Sequence, residues 1–381
     1  MFFFVAAIFH AVYARQAARP NVVLIITDDQ GYGDLGCTGN PHVKTPVLDR
    51  FAEENIRFTN FYVSPVCAPT RSSLMTGRYS LRTGVRDTYN GGSIMAASET
   101  TIAEMRGRKG SVYRGGVRVP FFMRYPGTKN GEVNATTAHI DVLPTIAVIC
   151  GAQLPEQHVI DGKSLFSLIT KDNCDWQERS LFFYWTRRYP ELYNNMALYK
   201  GNYKLVGFTS FDAGIGDFEM YNIKDGPYEQ ENILPKNTDL AKKLKKELDL
   251  ACHDLISSEN IVDQPLIEIG NKNENPIILN RNEADGERGI WAQEEVFGKW
   301  NVKVNPGKYN VTFKFVQAID GGGTLLLETN GVVNRLLNSE NMDVLEMKNV
   351  DLPGYEGELM ANYFLSGKKI LPFWIELEKV D

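Results

Sequence analysis

The sequence predicts an α/β unit built on a parallel sheet, followed by a smaller antiparallel α+β unit and then a C-terminal β-sandwich. Three observations carry this expectation. Residues 21–27, NVVLIIT, are an unbroken β-branched apolar run ending in Asp28-Asp29, the pattern of a strand buried on both faces of a parallel sheet. From Arg179 to about Leu250, short apolar segments alternate with Gly and Asn turns and close on an amphipathic basic helix. From about Glu259 onward, Asp, Asn and Gly turns separate strands of period two, such as residues 300–304, 309–315 and 372–377.

The elements follow in order. Residues 2–14 are apolar, as long as a signal-peptide core and too short to span a bilayer. A secretory route is expected, with a buried N-terminal strand as the alternative. Residues 45–54 combine an N-cap threonine, proline in the first turn and apolar residues at helical spacing, which predicts a helix covering the sheet. Residues 57–63 read as a second strand that delivers the following loop to the edge where Asp28 and Asp29 lie. Open α/β sheets hold ligands beyond the carboxyl ends of their strands, so two adjacent carboxylates there read as oxygen ligands for a divalent cation. A solvated turn is the alternative.

That loop carries Cys67-Ala68-Pro69-Thr70-Arg71-Ser72-Ser73-Leu74-Met75-Thr76-Gly77-Arg78. It sets a thiol at a loop-to-helix junction with a guanidinium four residues on. Free N–H groups and the helix dipole favour thiolates and bound oxyanions at such a junction. Cysteine-dependent phosphatases need five residues between Cys and Arg, and here there are three. The stretch resembles the sulfatase signature C-x-P-x-R followed by a small-residue helix and T-G-R, and it matches at each fixed position. A third match, Lys109 with residues 113–120 (YRGGVRVP), is similar to the family's lysine followed by Y-E-G-G-x-R-V-P. Arg114 stands there in place of the usual glutamate, a charge reversal expected to disturb that residue's normal partner.

The resemblance implies an alkaline-phosphatase-like sulfatase fold and a hydrolase of aryl or carbohydrate sulfate esters. It implies that Cys67 is oxidised by a formylglycine-generating enzyme, that Cys67, Arg71 and Lys109 serve the reaction, and that Asp28, Asp29 and the modified Cys67 hold calcium or magnesium. It also exposes a gap. The family's long middle segment, with a K-x-H motif, a further histidine and a D-N pair, is replaced here by residues 106–108, and no K-x-H occurs in the chain. An internal deletion near residues 105–109 is expected to truncate the central sheet and remove acid–base groups worth about a hundredfold to ten-thousandfold each. A noncatalytic relic that binds sulfated glycan or a protein partner is therefore the alternative to a working enzyme. Phosphoesterases of the same superfamily use Ser or Thr as nucleophile, which argues against that reading.

The chain thus divides into residues 1–14, a signal peptide; 19–178, the catalytic unit lacking its middle; 179–258, the antiparallel unit; and 259–381, an appended β domain. In the last two, residues 219–222 and 225–229 resemble the family's L-Y-N and D-P-x-E region, and glycan binding is one use for the appended domain. The formal charge of −6 argues against nucleic acid as a partner and leaves attraction of an anionic substrate to Arg71, Lys109 and the metal. Five cysteines without C-x-x-C spacing suggest no zinc site. Asn134 and Asn310 begin glycosylation sequons, and the expected location is the secretory pathway, extracellular or lysosomal, or periplasmic in a bacterium. Residues 141–151 read as an Asp-capped helix closed by glycine, with His139 before it in a capping or packing role.

Overall fold

The computed structural model describes residues 20–85, 106, 109–128, 130–156, 158–171, 174–185, 190–262, 266–281, 284 and 298–381. The leader segment and residues 107–108 of the junction lie outside them. The first sheet centres on β1 (Ile56–Tyr62), the strand that leads into the cysteine loop. It pairs antiparallel with β2 (Arg118–Met123) and parallel with the short β3 (Gly131–Val133) and β4 (Thr137–Ala138). Phe58 and Phe61 face Phe121 across this pairing, ring centroids 5.0 and 4.1 Å apart, and with Ile56, Leu74 and Leu165 they make the local core. Helix α1 (Pro46–Glu54) precedes β1, and α2 (Cys67–Thr76) follows it. The one-turn α3 (Arg114–Val117) leads into β2, and α4 (Val142–Cys150) and α5 (Phe166–Thr170) come after β4.

One expectation is overturned here and another is met only in part. Residues 21–27 are extended but pair with no strand among the described residues, and their side chains face solvent: Val23 and Ile25 are each 84% exposed. A run that is apolar on both faces becomes a buried strand only when neighbours pair on both sides. Likewise the helix α1 buries only Ala52 and leaves Val47 and Leu48 exposed. It lies against β1, and the rest of its apolar stripe stays in solvent.

A four-stranded antiparallel sheet in sequential order follows: β5 (Ser180–Tyr184), β6 (Met196–Lys200), β7 (Tyr203–Gly207) and β8 (Glu219–Asn222). One face of it packs on α6 (Thr238–Ile256), which presents Ala241, Leu244, Leu248, Cys252 and Leu255 at helical spacing. The other face packs Leu181, Phe183, Tyr199 and Val206 against Tyr62, Val117 and Ile140 of the first unit. The short α7 (Glu259–Val262) ends this part.

The junction between the two units is polar as well as apolar. Asp141 is fully buried and accepts hydrogen bonds from Ala138 N at 2.8 Å, Lys163 N at 2.8 Å and Arg179 Nη1 at 2.7 Å, with Arg179 Nη2 on its second oxygen. It was expected to cap α4; its carboxylate instead closes the turn before that helix and takes a guanidinium from the strand-leading residue of the next sheet. Gly151, with φ of 61°, does close α4.

The remaining strands make the sandwich. One sheet has the order β10 (Ile277–Asn280), β18 (Trp374–Lys379), β12 (Gly307–Ile319) and β15 (Met342–Leu352). The other runs β14 (Val332–Asn338), β13 (Gly323–Thr329), β16 (Tyr355–Leu365), β11 (Lys299–Val304) and β9 (Ile267–Ile269), with β17 (Lys368–Ile370) beside β16. Alternate residues of both sheets point inward, and Trp300, Tyr309, Phe313, Phe315, Leu325, Leu327 and Ile375 are wholly buried between them.

Because residues 21–27 contribute exposed apolar surface and no buried contacts, the double substitution Val23→Lys with Ile25→Lys is expected to leave thermal stability within about 0.5 kcal/mol of the parent. The same change is expected to suppress self-association. Melting curves and light scattering over a concentration series check both outcomes.

Candidate active site

The site begins at the end of the unpaired segment. Thr27 Oγ1 donates to Gln30 Oε1 at 2.8 Å, and Asp29 takes a φ of 53°, the left-handed region. The motif cysteine sits where the spacing predicts, as the first residue of α2. Thr70 secures that turn: its hydroxyl donates to Ser64 O at 3.0 Å and Val66 O at 2.9 Å. Gly77, with φ of 65°, terminates the helix, and its N–H donates to Ser73 O.

Two cations reach the aspartates. Arg71, one turn into α2, donates from Nη2 to Asp28 Oδ1 at 3.3 Å, and Lys109 Nζ donates to Asp29 Oδ2 at 2.6 Å. The lysine loop is docked beside the cysteine loop by Gly110 N, which donates to Pro65 O at 2.9 Å. All four charged side chains are partly exposed, so these pairs stabilise the fold little. They do set charge. Desolvation alone would lower the Lys109 pKa; the hydrogen bond and charge of Asp29, with Cys67 and Asp28 further off, outweigh it and raise the ammonium pKa above its ordinary value. Lys109 is thus a fixed positive charge in this place.

The expected ligand set Asp28, Asp29 and Cys67 does not assemble a metal centre. Among the described residues no group of three or more His, Cys, Asp or Glu side chains converges on a point. Two exposed carboxylates, each already paired with a cation, fall short of the six to eight oxygens that calcium takes. As they stand, these residues do not fit the ion.

Sequence reasoning left the pair behind the loop unseen. His139 is 2% exposed; its Nδ1 lies 3.1 Å from Tyr62 O and its Nε2 lies 3.0 Å from Ser64 Oγ. A carbonyl only accepts, so Nδ1 carries the proton and Nε2 accepts from the Ser64 hydroxyl. Burial pushes the imidazole pKa down to about 4; the Tyr62 bond opposes this and the Arg179 charge adds to it. The neutral ring pins Ser64, three residues before Cys67. The partners are 75 residues apart in the chain, and no local pattern signals the contact.

The Arg114 position also differs from expectation. Its guanidinium turns into the interior, 5% exposed, donating to Pro227 O at 3.1 Å and Asn60 Oδ1 at 3.3 Å. Its backbone N–H donates at 2.6 Å to buried Glu229, which also takes Lys204 Nζ at 2.7 Å. The charge reversal leaves the lysine loop docked, because Glu229 anchors the main chain rather than the side chain.

A cysteine at a helix N-terminus, on a mixed α/β scaffold without a closed barrel, is the arrangement of the alkaline-phosphatase-like sulfatase fold. Residues 20–110 match the Sulfatase family model, and residues 108–254 match the model described as N-sulphoglucosamine sulphohydrolase, C-terminal. Over these segments the chain belongs to the sulfatase family. It is 44% identical over 101 residues to human arylsulfatase A, covering 25% of this chain and 19% of that protein. Human arylsulfatase H is 40% identical over 110 residues, 26% of this chain and 19% of that protein. The chain spans about a fifth of the length of these curated relatives. Among solved structures, Ps i-CgsB superposes with a TM-score of 0.52 at 14% identity, over 64% of this chain and 94% of that one. The sulfatase PsFucS1 from Pseudoalteromonas sp. gives 0.50 at 14% identity, over 64% and 92%. At that identity the likeness concerns the fold.

The depressed pKa of His139 has a defined consequence. An unfolded imidazole titrates near 6.5 and the folded one near 4, so between these values the unfolded state binds more protons. Stability is expected to fall as pH drops from about 6.5 towards about 4 and to be flat in this term above that range. The variant His139→Gln should flatten that slope, measured as denaturant midpoints from pH 4.5 to 7.5.

Proposed function

We propose that this chain carries a sulfate-ester site and hydrolyses aryl or carbohydrate sulfates once Cys67 has been converted to formylglycine. The observation that supports this most is the gathering of Arg71 and Lys109 around the N-terminus of α2 where Cys67 stands. Formylglycine, when present, supplies a hydrated aldehyde oxygen as the attacking group. The chain's own residues do the rest. Arg71 and Lys109 offset the charge of sulfate oxygens after leaving Asp28 and Asp29, and the first N–H groups of α2 add fixed partial positive charge. His139, through Ser64, together with Thr70 and Gly110, holds residues 64–67 in place.

No step is assigned to a metal. The resemblance gives calcium or magnesium to Asp28, Asp29 and Cys67, but an ion entering there must first displace Arg71 and Lys109. A loss of the family's middle segment fits the meeting of the two family models at residues 108–110. The proposed partners are a sulfate ester, sulfated glycans among them, and a formylglycine-generating enzyme. The apolar residues 2–14 and the sequons at Asn134 and Asn310 support a secretory route to an extracellular or lysosomal destination.

A second reading, a noncatalytic sulfatase relic that binds sulfated glycan or a partner, is favoured by the internal pairing of both aspartates. One experiment separates the two. Protein shown by mass spectrometry to carry formylglycine at position 67 is assayed for phenol release from an aryl sulfate, with Cys67→Ala alongside. Turnover above that control establishes the enzyme; its absence from converted protein leaves the binder.

Under either reading, Arg71→Ala and Lys109→Ala are each expected to weaken binding of inorganic sulfate by about tenfold or more, since a charge-assisted bond is removed. Calorimetric titration measures it. Unchanged affinity in both variants would place the anion elsewhere.

A further inference from the structure

The interior between the first sheet and the antiparallel sheet holds more positive than negative charge. Besides the Asp141–Arg179 pair, four cations gather at this junction: Arg114 and Lys204 buried, Arg118 half-buried and Arg106 at its exposed rim. Two carboxylates accompany them. Glu219 takes Arg106, which also lies over the Tyr113 ring 4.0 Å from its centroid. Glu229, wholly buried, takes Lys204. Arg114 and Arg118 are left with neutral acceptors only: Pro227 O and Asn60 Oδ1 for the first, and Thr59 O for both Nε (3.0 Å) and Nη2 (2.5 Å) of the second. Among the described residues no carboxylate pairs with either guanidinium.

Two buried donors in the same region also lack a well-aligned acceptor, Arg114 Nε and the Tyr62 hydroxyl, the latter lying beside the Tyr199 hydroxyl. They are neighbours by construction. Tyr62 stands opposite Arg118 in the β1–β2 register, so both side chains project from the same face of the pair. Arg114 is tied to Asn60, two residues before Tyr62. The Tyr62 ring packs on Tyr199, with centroids 5.4 Å apart, and the Arg118 guanidinium lies under Tyr32, 3.7 Å from its ring centroid. Burial, with the like charge of Arg114 next in weight, lowers the Arg118 pKa, as expected of a cation without a counter-ion.

A buried cation that lacks a partner is costly, and a buried donor left unmade adds to the cost. Aromatic walls and only two open donors suit a small, weakly hydrated, singly charged ion better than a sulfate. We propose that Arg114, Arg118 and the Tyr62 hydroxyl bind a monovalent anion the size of chloride inside the protein, as a structural site separate from the Cys67 region. The ion receives N–H and O–H hydrogen bonds and neutralises the excess charge where the two sheets meet.

The test uses the full chain at constant ionic strength, with sodium gluconate exchanged stepwise for sodium chloride. Binding is read by chloride-35 NMR line broadening and stability by near-ultraviolet circular dichroism melts. The proposal expects saturable broadening in the millimolar range and a melting midpoint that rises with chloride. Arg114→Gln should weaken the chloride affinity on the order of tenfold, the value of one charge-assisted bond. Should Arg114→Gln fail to fold, Tyr62→Phe, which keeps the packing and removes one donor, decides in its place. Arg71→Gln controls for anions gathered at the Cys67 region and should leave the response intact. No chloride dependence in the parent, a response unchanged in both interior variants, or a response lost in Arg71→Gln would each overturn the site.

Discussion

Among the described residues before the β-sandwich, the fold turns on the Asp141 carboxylate. It is removed from water and accepts from two backbone N–H groups and from the Arg179 guanidinium. Its three sets of donors come from the turn before α4, from the loop near residue 163 and from the entry to β5. One buried anion thus ties the cysteine-bearing unit to the antiparallel sheet. Such a pair offers little net stability against an apolar replacement of both partners. Loss of one partner alone strands a buried charge at a cost of roughly 3–5 kcal/mol. Its value here is registration, since β1, the cysteine loop and His139 are all packed against the same junction.

Much of this architecture was legible in the chain. The alternation in residues 300–304 and 309–315 places strands where β11 and β12 occur, because antiparallel strands with one buried face write period two into the sequence, whereas β5 to β7, buried on both faces, were legible as short apolar segments between Gly and Asn turns. The C-x-P-x-R spacing placed Cys67 at the start of α2, while the pairing of Arg71 with Asp28 was not legible in it. Residues 21–27 misled for the opposite reason. Their composition records the demands of a sheet with neighbours on both sides, and composition cannot report whether those neighbours are present. The Ser64–His139 contact and the placement of Glu229 under Arg114 were invisible because both join residues far apart in sequence through the packing of whole sheets.

The candidate site is electrostatically closed on itself. Arg71 faces Asp28 and Lys109 faces Asp29, so the four charges cancel in pairs and the local field is weak at distance. An arriving anion must compete with carboxylates for both cations, and an arriving cation must compete with both cations for the carboxylates. Because all four groups are part exposed, either exchange costs little in stability. The same arrangement can therefore be a resting form that ligand opens, or the settled form of a site whose other members are gone.

The placement of Asp28 and Asp29 has a further consequence for how this protein loses its site. They hang from residues 20–27, a segment without a strand partner among the described residues, while the Trp300 to Ile375 core lies in a sheet sandwich more than two hundred residues away in sequence. Local opening requires only the contacts of the segment that opens, so the aspartates can detach at a free energy far below that of global unfolding. Probes that follow the sandwich would register an intact protein throughout. Amide exchange would then divide the described residues sharply, with near-immediate exchange from Asn21 to Asp29 and deep protection across the strands of the C-terminal domain.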